Sequence, residues 1–476
     1  MLRHAIAALC IALGAIGGCS DEGEATAQYT RLAADPNYVA PRDLAAANLD
    51  QTASAPAEVA LTPASDLATY FAYAAQNNPG LQASFHRWKA SLDRIPQEPA
   101  LPDPKFSYRY FVIEQAMRDG DLRNVFEVSQ EIPWLKKLLL RGDTAAQEAL
   151  AQQQRFEGER LKLFNRIASA YWEYYYIHRA VAVTQENVQQ IGTIESAARS
   201  RYAASSGSQP DLLRVQVEQG KVQDELRSVQ DMVGPTAAKL NAALGRPVDS
   251  QLPVPSPSNE ANVSLDETLL LSWMLQHSPE LRAMDADIAR QQKGVELAKQ
   301  DHFPDIELGV EFDQMAGASG VDSSNMQNPV ALFVSMNVPI WWEKYAASVR
   351  EAREKHWAAV KDKAQKANDL GVDLKLAAYS YRNAQRKVAL YRDTLLPRAR
   401  QSLASYRAGY QSGGAIFSDV LDAQRLVLEF QLAHERALAD RQKALAEMEM
   451  IVGAPLPRGA STAAATEPAA GAGESQ

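Results

Sequence analysis

The chain has 476 residues, of which 46% are hydrophobic and 22% are charged, and its formal net charge is −9. This negative charge gives no support to nucleic-acid binding. The seven histidines are scattered, and the sequence has no His-Glu-x-x-His pattern, no phosphate-binding glycine loop and no Gly-x-Ser-x-Gly motif. We therefore expect the protein not to be an enzyme and to have no cofactor and no metal site.

Residues 1–18 have the pattern of a secretory signal peptide, with a basic start, an apolar run from Ala5 to Ile16 and two glycines before Cys19. The run is too short to span a bilayer. Cys19 after small residues is similar to the bacterial lipobox, which predicts that Cys19 is acylated and becomes the first mature residue. The alternative is an ordinary signal peptide with an incidental cysteine. Ser20, rather than Asp, is similar to lipoproteins delivered to the outer membrane. Cys10 lies in the removed segment, so the mature chain has no disulfide.

Most of the remaining chain is an internal duplication. Residues 63–250 and 263–456 carry the same order of elements: a short helical lead-in, two strands and a very long helical hairpin. Asp66, Pro79 and Gly245 of the first repeat recur as Asp266, Pro279 and Gly453 of the second. Residues 19–62 are predicted to be a lipidated N-terminal tether, and residues 457–476 a disordered tail.

Each repeat contains two short runs in which apolar and polar residues alternate, as in strands with two different faces. These runs are Phe106–Tyr110, Phe126–Ile132, Asp305–Asp313 and Leu332–Val338. The loops inside the two strand pairs are predicted at Ile113–Arg123 and Gln314–Pro329. The acidic residues expected on the polar face are Glu127, Glu131, Asp305, Glu307, Glu311 and Asp313.

A half-buried sheet of a soluble protein would show the same alternation. Two features favour a transmembrane barrel. The polar face is charged, and Trp134, Trp341 and Trp342 follow the strands directly, as interfacial aromatic residues do at a water–lipid boundary. No other segment is apolar enough for a membrane helix, so a membrane crossing would use strands. Because a barrel needs about eight strands, the strands of several chains would have to be pooled, and three chains would supply twelve.

Long stretches rich in helix-forming residues follow each strand pair, without proline between Pro133 and Pro210 or between Pro339 and Pro397. About sixty helical residues would span roughly 90 Å. The aromatic cluster from Tyr171 to Tyr176 is expected to pack between helices rather than to bind a ligand. The hairpins are predicted to turn near residues 203–210 and 410–415.

These features occur in a specific order: the lipobox, the duplicated strand pair and hairpin, the Pro-Trp step, the segment Leu240–Pro247, and Tyr410-Gln-Ser-Gly followed by Asp419–Arg425. In this order they resemble the TolC-like outer-membrane factors of tripartite efflux and type I secretion systems, over roughly residues 62–456. The resemblance implies a mainly α fold with a small transmembrane β part. It also implies a homotrimer, in which a twelve-stranded β-barrel continues into a periplasmic α-helical barrel.

The resemblance further implies a passive duct in the bacterial outer membrane, lipid-anchored and extending into the periplasm. Its partners would be a periplasmic adaptor protein and an inner-membrane pump of the RND type. The segment from Ala100 to Trp134 is closer to members found beside heavy-metal resistance pumps. A type I protein-secretion duct and a structural coiled-coil lipoprotein are the alternatives.

A periplasmic gate is also implied by the resemblance. Tyr410, Asp419 and Asp422 keep the spacing of the family's gate residues, and Asp211 matches the acidic position of the first hairpin. The family's arginine five residues after the tyrosine is replaced by Ala415, so its ionic lock has no counterpart at this position. Asp419 and Asp422 are three residues apart and would share a helix face. The alternative is that they belong to a solvated face or cap a helix.

Overall fold

The structure is a computed structural model of the chain. It describes residues 61–62, 65–117, 120–255, 263, 266–316 and 328–457. Cys19, the tether as far as residue 60 and the tail from residue 458 lie outside the described residues, so what is predicted for them stays a prediction. The described part is mainly helical and has one small sheet, as predicted.

The first repeat begins with two short helices and a strand pair. These are α1 (Leu67–Asn77), α2 (Pro79–Arg94), β1 (Lys105–Met117) and β2 (Gly120–Ile132). Its hairpin consists of α3 (Leu135–Ala203), α4 (Gln209–Asp231) and α5 (Val233–Leu244). Asp66 caps α1, because its carboxylate accepts a 3.0 Å hydrogen bond from the backbone N–H of Thr69.

The second repeat has the same order. Its elements are α6 (Glu267–His277), α7 (Pro279–Gln300), β3 (Ile306–Ala316), β4 (Val330–Met336), α8 (Trp342–Leu390), a π-turn (Tyr391–Leu395), α9 (Leu396–Ser412) and α10 (Phe417–Val452). Asp266 caps α6 as Asp66 caps α1. The π-turn lies just before Pro397, whose ring cannot follow an unbroken α-helix. None of the described helices is long and apolar enough to cross a membrane.

The described residues form two compact units. The first comprises residues 86–155 and 282–365, and the second comprises residues 61–85, 156–281 and 366–457. The first unit contains the antiparallel sheet, in the order β1-β2-β3-β4. Its strands are longer than predicted. β1 runs to Met117 and β2 starts at Gly120, so most of the predicted loop Ile113–Arg123 is paired strand.

Two of the core clusters of the second unit contain equivalent residues of the two repeats. Tyr70, Leu81 and Leu240 of the first repeat are buried together, and so are their counterparts Leu270, Leu281 and Met448. The predicted packing of the aromatic cluster is confirmed, because four of its members are buried in the first of these clusters: Tyr171, Trp172, Tyr174 and Tyr175.

Each core is closed by a glycine at the end of the returning helix. Gly245 and Gly453 have φ of 77° and 84°, in the left-handed region that favours glycine. A Cβ atom at Gly245 would lie 2.6 Å from the carbonyl oxygen of Asn77, and one at Gly453 would lie 2.4 Å from that of His277. Because these contacts are with backbone, the neighbouring helices would have to move apart to accept a side chain.

Gly453→Ala is therefore expected to destabilise the second unit by more than about 3 kcal/mol, of which the left-handed backbone costs roughly 1–2 kcal/mol. Gly413 has φ of 85° but open space around it, so Gly413→Ala should cost only the backbone part. Gly220 lies inside α4 with nothing nearby, and Gly220→Ala should stabilise slightly. The melting temperatures of the three purified variants, measured by thermal unfolding, test this order of stability changes. Equal melting temperatures for all three would contradict the close-contact explanation.

Candidate functional site

The register of the sheet in the first unit separates two chemically different faces. Glu127 pairs with Glu311 and Glu131 pairs with Glu307, so four of the predicted acids lie on one face. Phe106, Val128, Val310 and Leu332 form one row of the opposite face. Alternation along the strands places the other aromatic and aliphatic residues on that same side.

The apolar face is strongly exposed. Val112 is 86% and Leu332 81% exposed, and the other large residues of β4 on this face, Val330, Val334 and Met336, are exposed as well. A sheet face of this size and chemistry is unfavourable in water unless something covers it. Alternating strands with such a face are typical of outer-membrane barrels, where lipid covers the apolar side.

The acidic face is partly neutralised by two cations on β1. Arg109 donates a 2.7 Å hydrogen bond to Glu311, and its guanidinium lies 3.7 Å from Glu127. Lys105 lies 3.5 Å from Glu131. Glu307 accepts a 2.8 Å hydrogen bond from the hydroxyl of Ser129, which has no charge.

Asp313 lies on the same face, opposite Val125. Beyond this row the face is not acidic. Leu122, Val125 and Met315 are buried there and pack against Phe111. Alternation in the sequence does not reveal this apolar end, because Leu122 and Met315 lie in the two stretches predicted to be loops.

Asp305 lies outside the strands, unlike the other predicted acids. It precedes β3, and its carboxylate accepts hydrogen bonds from the Nζ of Lys137 at 2.9 Å and from the backbone N–H of Trp134 at 2.9 Å. Asn337 donates to the same carboxylate at 3.5 Å. Asp305 thus joins the end of the sheet to the start of α3 and stays apart from the acidic cluster.

The three predicted interfacial tryptophans lie where the strands meet the helices. Trp134 stacks on Phe303, with 4.9 Å between ring centroids. Trp341 and Trp342 are 70% and 68% exposed. Exposed indole rings at the end of an apolar sheet face fit a boundary between lipid and water.

The predicted gate residues all lie at the turn ends of the two helical hairpins, in the second unit. Asp211 is in the first turn of α4, and Tyr410 is in the last turn of α9. Asp419 is in the first turn of α10 and Asp422 follows one turn later. The sequence order that suggested a gate therefore corresponds to one end of the hairpins.

Tyr410 is partly buried between the two hairpins. Its ring lies 5.1 Å from that of Phe417, and the guanidinium of Arg201 lies 4.4 Å from the Tyr410 ring centroid. Burial raises the pKa of the Tyr410 hydroxyl, while the Arg201 cation lowers it and the Asp211 carboxylate raises it. The sequence analysis did not identify Arg201, because nothing in its surroundings distinguishes it from other helix arginines.

Asp422 is linked to a buried ion pair between the hairpins. Arg425 donates hydrogen bonds to Glu218, which is 5% exposed, and it also donates to Asp422 at 3.1 Å. The hydrogen bond from Arg425 holds the pKa of Glu218 below its usual value, against the effect of burial. Asp419 is half-buried, and Asp422 is exposed. The two aspartates thus remain available to solvent while Glu218 fixes the arginine.

A buried polar layer crosses the same end of the hairpins. The side-chain amide of Gln424 donates to Asn187 at 2.6 Å and to Gln190 at 2.8 Å, and its oxygen accepts a 2.8 Å hydrogen bond from Arg407. These residues belong to α3, α9 and α10. The Nε of Arg407 is buried there without a hydrogen-bond partner. The hydrogen bonds of Gln424 inside an apolar core favour one register of the helices that it joins.

Groups of three or more His, Cys, Asp or Glu residues that could hold a metal ion do not occur among the described residues.

The duplicated strand pair and long helical hairpin, with one exposed apolar sheet face, define the class of outer-membrane channel proteins. The chain belongs to the outer membrane efflux protein family, whose profile matches it twice, over residues 72–246 and 270–454. The resemblance to TolC-like outer-membrane factors is thereby confirmed, as is the predicted fold class.

The chain is also similar, at low sequence identity, to individual proteins. The chain is similar to the cobalt-zinc-cadmium resistance protein CzcC of Cupriavidus metallidurans, with 25% identity over 289 residues, covering 58% of this chain and 65% of CzcC. It is also similar to nodulation protein T of Rhizobium leguminosarum bv. trifolii, with 23% identity over 381 residues, 75% of this chain and 79% of the relative. The chain thus spans just under two thirds of the length of CzcC.

Among solved structures, the outer membrane protein VceC of Vibrio cholerae has the same fold. The TM-score is 0.68 at 17% sequence identity, and the alignment covers 82% of this chain and 96% of VceC. The likeness supports the fold alone.

Proposed function

We propose that this protein is the outer-membrane channel component of a tripartite efflux system, a passive duct that performs no catalysis. The observation that carries the proposal is the two-faced sheet in a chain of this family. One face is apolar and exposed, and the other carries paired carboxylates. Such a sheet is suited to lie between lipid and an aqueous lumen.

The sheet also supports assembly as a homotrimer. In the described part of the chain, β1 and β4 each have only one strand neighbour. An unpaired strand edge is not tolerated in lipid, so the edges must be paired with those of other copies. Three copies would give twelve strands, which is enough to enclose an aqueous channel.

The other parts of the system follow from this role. A periplasmic adaptor protein and an inner-membrane pump of the RND type would deliver the cargo and supply the energy. The gate would lie at the hairpin ends, with Asp211, Tyr410, Asp419 and Asp422. Glu127, Glu131, Glu307, Glu311 and Asp313 would line the lumen, and Asp305 would border it. Trp134, Trp341 and Trp342 would lie at the membrane boundary.

Metal cations are the cargo class that the comparisons favour, because CzcC acts in cobalt, zinc and cadmium resistance. An acidic lumen face would attract such cations. Deleting the gene in its own host should sensitise the cells to these metals, and the wild-type gene should restore growth. Sensitivity to organic compounds without sensitivity to metals would contradict this cargo.

The duct itself is tested by purifying the full protein from outer membranes. Light scattering should give the mass of a trimer, and planar bilayers should show discrete channel conductance. A monomer that carries no current would overturn the proposed function. A trimer without conductance would favour the structural lipoprotein.

Lipidation of Cys19 is expected to assist membrane residence without creating it. The lipid anchor supplements a closed barrel, which spans the membrane by itself. Cys19→Ser, expressed with a conventional cleavage site, should therefore still yield outer-membrane trimers, which cell fractionation and native electrophoresis would detect. A fully soluble periplasmic protein would rule out the barrel.

A further inference from the structure

Arg201 joins the turns of the two hairpins within one chain. It lies in the last turn of α3, and its Nη1 donates a hydrogen bond to the backbone carbonyl of Tyr410 on α9. The same guanidinium lies over the Tyr410 ring. One side chain of the first hairpin thus holds both the backbone and the ring of a residue in the second.

The turn after α3 keeps Arg201 in this position. The N–H and the hydroxyl of Ser206 donate to the carbonyl oxygen of Arg201 at 2.9 and 3.1 Å. In return, Nη2 of Arg201 donates to the carbonyl oxygen of Ser206 at 3.3 Å. Gly207 packs against the arginine so closely that an added Cβ would lie 3.0 Å from the Arg201 Cβ. The turn of its own hairpin therefore helps to hold Arg201 in place, in addition to the contacts with the second hairpin.

The carbonyl of Tyr410 is a favourable target for a cation. It belongs to the last turn of α9, where backbone carbonyls have no partner within the helix and carry the negative end of the helix dipole. Its oxygen also accepts a 3.3 Å hydrogen bond from the N–H of Gly413. A guanidinium can donate to two carbonyls and stack on an aromatic ring at once, which a lysine ammonium cannot do.

Ala415, in the turn after α9, has no side chain that could reach back to the first hairpin. Arg201 makes the connection in the opposite direction, from the first hairpin to the second. It does so at Tyr410, next to the turn in which the N–H groups of Gly414 and Ala415 donate to the carbonyl oxygen of Gly409.

We propose that Arg201 is a positioning residue that holds the end of α9, and with it Tyr410, against the first hairpin, so that the mouth formed by the hairpin ends stays narrow. The inference rests on the proposed function, because a mouth exists only in an assembled duct. Arg201 then sets the fraction of time that the mouth is open.

The test uses Arg201→Ala and Arg201→Lys in the full-length protein, with Arg199→Ala as the matched control. Arg199 lies two residues earlier on the same helix and pairs with Glu195 of its own helix. Two properties are measured: the open fraction of single channels in planar bilayers, and the distance between spin labels attached at Ala204→Cys and Gln411→Cys. Both label sites are exposed, and Cys19→Ser removes the remaining mature cysteine.

Arg201→Ala should raise the open fraction roughly five- to tenfold, the shift expected from loss of one charge-assisted contact. It should also lengthen and broaden the label distance. Arg201→Lys should fall between this variant and wild type, and Arg199→Ala should match wild type. Gly207→Ala should reproduce part of the effect, because the added methyl group displaces the arginine.

Equal open fractions and equal label distances in Arg201→Ala and Arg199→Ala would overturn the proposal. A change in label distance without conductance in any variant, wild type included, would overturn the duct function and with it the role at a mouth. A conducting wild type with an unchanged Arg201→Ala would overturn the role of Arg201 and leave the duct function standing.

Discussion

Purified channels of this protein should favour cations over anions in planar bilayers. The polar sheet face has five carboxylates, Glu127, Glu131, Glu307, Glu311 and Asp313, and two nearby cations, Lys105 and Arg109. The face keeps a net negative charge in each chain, and an assembled lumen repeats that charge in every copy. A narrow lumen concentrates the field of such charges, so cations should accumulate there.

Two opposite variants test this charge balance. Glu131→Gln with Glu307→Gln should lower the cation-to-anion permeability ratio by roughly threefold, because the lumen loses two charges from each chain. Arg109→Gln should raise the ratio, because it leaves Glu127 and Glu311 without their shared cation. Glu98→Gln, which removes a half-buried acid outside the strands that pairs with Arg94, is the matched control.

Salt dependence separates a lumen effect from a general charge effect. At about 0.1 M salt the screening length is roughly 10 Å, so selectivity should increase as salt is diluted below that concentration. Anion selectivity in the wild type would mean that the acidic face points away from the lumen. Equal selectivity in all variants would mean that these residues do not face the permeation path.

The sequence predicts the parts of this molecule that depend on local patterns. Alternation along Ile306 to Phe312 places residues on the correct sheet faces, because side chains of a strand alternate with period two. Repeated residues such as Gly245 and Gly453 identify equivalent helix ends. Both kinds of inference use residues that are close in the chain or equivalent in the two copies.

Local patterns in the sequence do not predict the contacts between the two repeats of the chain. Arg201 meets Tyr410 and Glu218 meets Arg425, although each pair is separated by more than two hundred residues. The duplication shows which segments are equivalent, but it does not show which of their side chains touch. Such contacts depend on how the hairpins pack, and an arginine that forms one has no local mark in the sequence.

The strand ends were missed for a similar reason. Asp is a residue type common in loops, and Asp121 favours a loop in the stretch from Ile113 to Arg123. In the structure Asp121 pairs with both Ala116 and Ala316, so hydrogen bonds to two neighbouring strands outweigh the local preference.

Removal of Asp419 and Asp422 at the hairpin ends should weaken block by divalent and trivalent cations added from the periplasmic side. Three chains would bring six such carboxylates, three of Asp419 and three of Asp422, to the narrow end of the duct. Close carboxylates resist joint ionisation and attract cations. Arg425 compensates Asp422 only in part, because its guanidinium is shared with the buried Glu218.

Asp419→Ala with Asp422→Ala should make cation block more than tenfold weaker, since each lost carboxylate removes on the order of 1 kcal/mol of attraction in a partly solvated site and a total loss of about 1.4 kcal/mol is already tenfold. The trimer should remain intact, because Asp422 contributes only an exposed ion pair and Arg425 keeps Glu218. Asp224→Ala with Asp231→Ala, which removes two exposed acids of α4, is the matched control.

Measurement of the conductance then distinguishes a ring of carboxylates that lines the narrowest point of the duct from a ring that lies outside it. If the carboxylates line the narrowest point, the double variant should also pass monovalent current more freely, because the shorter alanine side chains leave a wider opening. Weaker block with unchanged conductance would place the cation site outside the constriction. Equal block and equal conductance in the double variant and the wild type would show that Asp419 and Asp422 form only a solvated helix face. In that case the control of the opening would lie with the contacts between the two hairpins, such as those of Arg201 with Tyr410 and of Gln424 with Asn187.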